Sequence, residues 1–179
     1  MTGGAGFIGS KIVQRLLDDG HIVKVIDKIS KKDATRLQKF LNNKNLSYTR
    51  VDLSRTKDVD FSGFETIIHF AAPTDAAIGY KHTDLDLKNG TISTYNVLES
   101  MRLYDIKKII FASSSTVYGY QDKIPIRENQ GMLFPASLYG ASKLASEAII
   151  SAYCYLYRIK SWIFRFGNVL GPYAGRSCS

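Results

Sequence analysis

The chain begins MTGGAGFIGS, and the glycines at 3, 6 and 9 run directly into a stretch of apolar residues at helical spacing. A G-x-x-G-x-x-G turn that opens a helix omits Cβ atoms where backbone must approach a neighbour or a ligand. In alternating α/β chains it joins a buried strand to the next helix, whose N-terminal N–H groups can receive a pyrophosphate. Ile8, Ile12, Val13, Leu16 and Leu17 predict an amphipathic helix starting inside the loop, with Asp18-Asp19-Gly20 as its stop.

Strand and helix signals alternate after that stop. The apolar patterning predicts strands over 21–26, 46–51, 66–71, 107–113 and 161–166, and helices over 33–41, 84–103 and 137–158. Short β-rich apolar runs separated by helices need a parallel sheet with helices on both faces, because each crossover helix must bury its apolar side. The expected fold class is therefore α/β, a doubly wound parallel sheet of the Rossmann-like, dinucleotide-binding kind. No internal repeat or linker divides it, so residues 1–179 read as one dinucleotide-binding domain.

Composition removes several alternatives. Hydrophobic residues make up 45% of the 179, enough for a real core. No apolar run reaches the length of a membrane span and the N-terminus has no secretory pattern, so a cytoplasmic protein without membrane partners is expected. Cys154 and Cys178 are too far apart for a metal-binding C-x-x-C, and no metal site is expected. The net charge of +8 would suit an anionic partner, but acids interrupt the basic stretch from Lys24 to Lys57 and no aromatic platform is interleaved. Nucleic acid is not the expected partner; a small phosphorylated ligand is.

Asp27 ends the strand that follows the first helix. There a carboxylate can accept hydrogen bonds from the adenosine ribose hydroxyls and repel a 2′-phosphate, which favours NAD over NADP as cofactor. Tyr139 and Lys143 form a Y-x-x-x-K pair within the long helix, one turn apart on one face. Tyr104 and Lys108 repeat the spacing, but the first ends a helix and the second starts a strand, so they share no face. "SSSTVYG", residues 113–119, follows a predicted strand at the end where doubly wound sheets place ligands. A phenol beside an ammonium and a cationic nicotinamide is favoured as phenolate and can serve as acid/base, so Lys143 is expected to tune Tyr139. His69 ends a buried strand, which points to a packing role.

These segments together resemble the extended short-chain dehydrogenase/reductases, in particular the nucleotide-sugar 4-epimerases of the UDP-glucose/UDP-galactose type. The resemblance rests on "TGGAGFIGS", Asp27, "VDL" at 51–53, "HFAA" at 69–72, "NVLE" at 96–99, "SSSTVYG", "PASLYGASK" and "RFGNVLGP" at 165–172. It implies a catalytic trio of Ser114, Tyr139 and Lys143, although by sequence alone Ser113 and Ser115 remain open for the hydroxyl. It implies cofactor contacts from Gly3, Gly6, Phe7, Ile8, Gly9, Asp27, Asp52, Leu53, Ala71, Ala72, Tyr139 and Lys143, and contacts to a nucleotide-diphosphate sugar from Ser114 and Asn168. The implied cycle takes the O4 proton onto Tyr139 and a hydride from C4 onto tightly held NAD, turns the 4-keto sugar, and returns the hydride to its other face. The related dehydratases and decarboxylases carry acids just after the catalytic hydroxyl, where this chain has Ser115 and Thr116, which favours the epimerase. The alternatives are a non-catalytic NAD-binding module or another nucleotide-sugar-modifying short-chain dehydrogenase, a dehydratase or decarboxylase. A full-length version is expected to be a homodimer.

The chain departs from the family pattern in four places. Gly90 stands where the family has the asparagine of N-x-x-G-T, with Asn89 one residue off and Ser93 in place of the glycine, so any support this asparagine gives the active-site lysine or a water is expected to be missing or supplied differently. "PTDAA" at 73–77 lacks the basic residue that several relatives use for phosphate. Only Met1 and Thr2 precede the glycine turn, so the central first strand of a 3-2-1-4-5-6 sheet is expected to be missing, leaving unpaired backbone on its neighbours. The chain also stops soon after "GPYAG", which predicts that a C-terminal substrate lobe is absent and the domain clipped at both ends.

Overall fold

The structure, a computed structural model, describes residues 1–73, 81–122 and 124–171. The glycine turn leads into α1 (Phe7–Asp18), followed by β1 (Val23–Asp27), two short 3-10 turns (Lys31–Asp33 and Thr35–Phe40), β2 (Leu46–Arg50) and β3 (Thr66–His69). A π-helical turn (Leu87–Ile92) runs into α2 (Ser93–Leu103), then come β4 (Lys108–Ser114), a 3-10 turn (Ser115–Tyr118), α3 (Leu138–Tyr157) and β5 (Lys160–Phe166). Thr74–Ala77 of "PTDAA", Pro172 of the last motif and Cys178 lie outside the described residues.

All strand pairs are parallel: β1 with β2, β3 with β4, and β4 with β5. Thr2 joins the two groups by bridging Ile26 on one side and His69 on the other. Its N–H donates to the Ile68 carbonyl at 2.9 Å, its own carbonyl accepts from Phe70 at 3.2 Å, and Gly3 N–H and Met1 carbonyl pair with the two sides of Ile26. The spatial order β2-β1-Thr2-β3-β4-β5 is thus the doubly wound 3-2-1-4-5-6 order, with Met1–Gly3 in the central place. The gap expected there is bridged at its carboxyl half, where the glycine turn begins.

Alternation along β1 divides the core between two faces. Val23 and Val25 pack with Val13 and Leu17 of α1 and with Leu37, whereas Ile26 faces the other way. It joins Ile109 and Phe111 of β4, Val97 and Met101 of α2, and Ile150 of α3. Full burial of each such side chain contributes roughly 1.5–3 kcal/mol, so both helical layers are anchored to one sheet.

Two predicted helices differ from those observed. The segment 33–41 forms 3-10 turns broken at Ala34 (φ −76°, ψ 59°), because only Ala34 and Leu37 are buried and no continuous apolar stripe supports a longer helix. The segment 84–103 begins with the π turn before α2 takes over. By contrast α3 matches its prediction closely: Ser137 caps it by accepting the Gly140 N–H at 3.0 Å, and Arg158 closes it in the left-handed region.

Candidate active site

Every cofactor residue expected from the sequence lies at the carboxyl end of the sheet. Gly3 has φ +67°, and a Cβ there would stand 2.6 Å from the Ala71 nitrogen. A Cβ at Gly9 would lie 2.2 Å from the Gly3 carbonyl oxygen. Glycine at these positions lets the turn fold against the segment after β3 and under the first turn of α1. No side chain caps α1 and no acid occupies its first turn, so its N-terminal dipole remains available to an anion at Phe7, Ile8 and Gly9. Gly6 is the N-cap residue.

Asp27, at the end of β1, accepts the Ala5 N–H on Oδ2 at 3.1 Å and the Ile29 N–H on Oδ1 at 3.3 Å. Each oxygen keeps lone-pair capacity for a ribose hydroxyl. Past β2, Asp52 is exposed and accepts the Ser54 N–H and hydroxyl, which hold its carboxyl below the usual range. Leu53 is buried and its carbonyl accepts Asn96 Nδ2 at 2.7 Å, so the asparagine of "NVLE" fixes this loop. Ala71 and Ala72 are half-buried beyond β3, and the Ala71 N–H donates to Thr2 Oγ1 at 3.3 Å. These features fit a dinucleotide: a Cβ-free cradle, an uncapped helix N-terminus and a carboxylate at the ribose position.

Ser114 ends β4 with both lone pairs engaged, accepting the Thr116 N–H at 3.2 Å and the Thr116 hydroxyl at 2.9 Å. A hydroxyl has one donor and two acceptor sites, so Ser114 is left as a donor. It faces Tyr139, whose phenolate its hydroxyl favours. Of the alternatives, Ser113 commits its hydroxyl to Glu147, and Ser115 points to solvent.

Lys143 is 4% exposed, donates to the Ala112 carbonyl at 2.6 Å, and lies 5.7 Å from the Tyr139 ring centroid. Burial lowers its ammonium to about 8, with Glu147 opposing the shift. Tyr139 is raised, first by burial and then by Asp86, against the lowering from Ser114. Burial thus dominates the phenol, while Lys143, turned to the Ala112 carbonyl, is not among the groups that shift it. Tyr104 caps the end of α2 and Lys108 begins β4, so the second Y-x-x-x-K pair shares no helical face.

His69 is fully buried, with Nδ1 2.6 Å from Thr2 Oγ1 and Nε2 3.1 Å from Thr94 Oγ1, and stacks on Phe111. Burial pushes it down to about 3, so it is a neutral packing residue. Gly90 packs so closely on Ser142 of α3 that a Cβ would meet the Ser142 oxygen at 2.0 Å. The family asparagine has no room there, Asn89 instead donates to the Leu85 carbonyl, and Lys143 takes its partner from Ala112. Asn168 is exposed just past β5, and Gly171 reaches Phe7 at the mouth of the glycine turn.

Sequence reading missed two buried carboxyls here. Among the described residues nothing hydrogen-bonds to Asp86 Oδ1, and burial raises this carboxyl. Glu147 lies one turn beyond Lys143 on α3, and only that i, i+4 spacing could have marked it. Among the described residues no helix is long and apolar enough to cross a membrane.

Comparison with known proteins extends this picture. A Methanocaldococcus jannaschii protein provisionally assigned as a UDP-glucose 4-epimerase is 37% identical over 176 residues, covering 96% of this chain and 55% of its own length. The structure of the Thermus thermophilus UDP-glucose 4-epimerase in complex with NAD superposes with a TM-score of 0.83 at 32% identity, over 99% of this chain and 58% of that one. A UDP-N-acetylglucosamine 4-epimerase from Methanobrevibacter ruminantium, in complex with UDP-N-acetylmuramic acid, gives 0.86 at 31%, over 96% and 55%. The chain spans about half the length of these relatives. The model of the NAD dependent epimerase/dehydratase family matches residues 1–178. With the same fold and a match of that extent, the chain belongs to the NAD dependent epimerase/dehydratase family.

Proposed function

We propose that this chain is the cofactor-binding and proton-transfer part of a nucleotide-sugar 4-epimerase of the UDP-glucose/UDP-galactose type. The observation that carries the reading is Ser114, fixed as a donor by Thr116 and facing Tyr139 beside Lys143 at the carboxyl end of β4. NAD, when bound, supplies a hydride acceptor for C4 of the sugar.

The chain's own residues do the rest. Phe7, Ile8 and Gly9 receive the pyrophosphate on backbone N–H groups, and Asp27 takes the adenosine ribose hydroxyls. Asp52, Leu53, Ala71 and Ala72 border the adenosine half. Lys143 holds positive charge beside the nicotinamide ribose, which offsets the burial that raises the phenol. Tyr139 holds or releases the proton at O4, and Ser114 donates a hydrogen bond to the same oxygen. Asn168 is assigned to the diphosphate of the sugar nucleotide. Ser115 and Thr116 supply no acid for removing a second proton, and Thr116 is engaged with Ser114, which supports epimerisation over dehydration.

The test is incubation of a full-length version of the protein with NAD and UDP-galactose, with assay for UDP-glucose. Formation of UDP-glucose, lost in Tyr139→Phe, is the expected result. Saturable NAD binding without any sugar turnover would favour a binding-only module instead.

A further inference from the structure

Glu147 is a buried carboxylate that the proposed chemistry leaves unused. Its Oε1 accepts from the Ser113 hydroxyl and from Arg165 Nε at 3.0 Å, and its Oε2 accepts Arg165 Nη2 at 2.7 Å. Ser113 and Arg165 are register partners on β4 and β5, one position before Ser114 and Phe166. The carboxylate therefore clamps both strands to α3 at the level of the proposed trio. Arg165 extends the clamp: its guanidinium lies 4.9 Å from the Tyr118 ring centroid, in the turn after Ser114, and Nη1 donates to the Glu128 carbonyl at 3.2 Å. Lys143 sits one helical turn before Glu147, and both are buried.

We propose that Glu147 is a positioning residue for the Ser114, Tyr139 and Lys143 chemistry, locking the Lys143 turn of α3 to the ends of β4 and β5 while keeping an anion beside the buried ammonium. The proposal rests on the functional reading above for its purpose, but not for its test. Loss of Glu147 also leaves the Arg165 guanidinium uncompensated, so the variants are compared in an Arg165→Met background, where a carboxylate that served only Arg165 would leave Lys143 indifferent to its loss. The groups facing Lys143 are His69 from β3, the Phe111 ring and Ala112 carbonyl from β4, and Tyr139 and Glu147 from α3. Arg165 of β5 stands behind Glu147, and Asp86 acts on Tyr139 from ahead of the π turn. Glu147 is the group whose charge favours the ammonium form against burial.

The experiment is a carbon-13 NMR titration of the 179-residue chain with labelled lysine Cε, the Lys143 signal being assigned by its loss in Lys143→Met. Glu147→Gln keeps the shape and removes the charge, and is expected to lower the Lys143 titration midpoint by about one pH unit or more. Glu147→Asp keeps the charge at a shorter reach and is expected to give a smaller downward shift. It also serves as the test if Glu147→Gln does not fold. An unchanged Lys143 midpoint in a cooperatively folded Glu147→Gln chain, or in Glu147→Asp where only that variant folds, overturns the proposal. The readout needs no sugar turnover, so failure of the epimerase assay and failure of this inference are distinguishable.

Discussion

The Lys143 ammonium donates to the Ala112 carbonyl at 2.6 Å while lying 5.7 Å from the centre of the Tyr139 ring. The two side chains occupy one helix face, yet the lysine is tied to β4 and not to the phenol. This ties the helix turn after the proposed acid/base to the strand that ends in Ser114, and it separates the consequences of removing each residue.

Tyr139→Phe keeps the ring and its helix packing but removes the transferable proton. Turnover is expected to fall by ~10² to 10⁴ while NAD affinity stays near the parent value. Tyr104→Phe is the control, because Tyr104 closes α2 and does not share a helical face with Lys108. Steady-state kinetics and equilibrium NAD titration of both variants check the assignment.

Lys143→Met removes a buried ammonium from beside the cofactor site and is expected to lower both NAD affinity and turnover. Its stability behaves differently. Burial pushes the folded lysine down to about 8 from its ordinary 10.5, so the unfolded chain binds the proton more tightly. The parent's penalty is full below pH 8 and fades as pH rises towards 10.5. Urea unfolding of parent and Lys143→Met is therefore expected to show a difference between them that shifts in the parent's favour from about pH 8 to about pH 10.

His69 gives the opposite end of the pH range. Its folded value of about 3 lies below the ordinary 6.5, so stability held above pH 6.5 is lost as pH falls towards 3. Between about pH 6.5 and about pH 5 the loss attributable to this group is about 2 kcal/mol. His69→Gln, which cannot take up the proton, is expected to show a correspondingly flatter stability profile over that interval.

How much of this could be read from the sequence depended on whether a feature was local. The glycine turn, α1 and α3 announce themselves through spacing and caps, and the Tyr139 to Lys143 face follows from helix periodicity alone. The π turn at Leu87–Ile92 does not, and Gly90 within it packs on Ser142, far along the chain. The 3-10 turns near Leu37 looked helical because the local pattern was apolar enough, while burial reached only one side of a short stretch. The hydrogen bonds that favour Ser114 over Ser113 as the proposed hydroxyl involve Glu147 and Thr116, whose positions depend on the register of β4 against β5 and on the fold of the following turn. The bridging of the sheet by Thr2 was equally hidden, since a single residue carries no periodicity.

The cradle makes a stability prediction of its own. Gly3→Ala must place a Cβ 2.6 Å from the Ala71 nitrogen at a positive φ, and neither backbone can move cheaply. A loss of roughly 3 kcal/mol or more is expected, together with loss of NAD binding. Gly131→Ala, where a Cβ meets nothing within 4 Å, is expected to stay within about 0.5 kcal/mol of the parent. Chemical denaturation of both variants decides the point.

The central claim is that Ser114, Tyr139 and Lys143 serve a reaction in which C4 of the sugar loses and regains its own hydrogen. The direct measurement is conversion, by a full-length version of the protein, of UDP-galactose deuterated at C4, in ordinary water with NAD present, followed by mass and NMR analysis of the sugar. The account predicts UDP-glucose with the deuterium still at C4 and no solvent hydrogen incorporated into the ring. Absence of conversion, or product from which the C4 label has been lost to water, would contradict it.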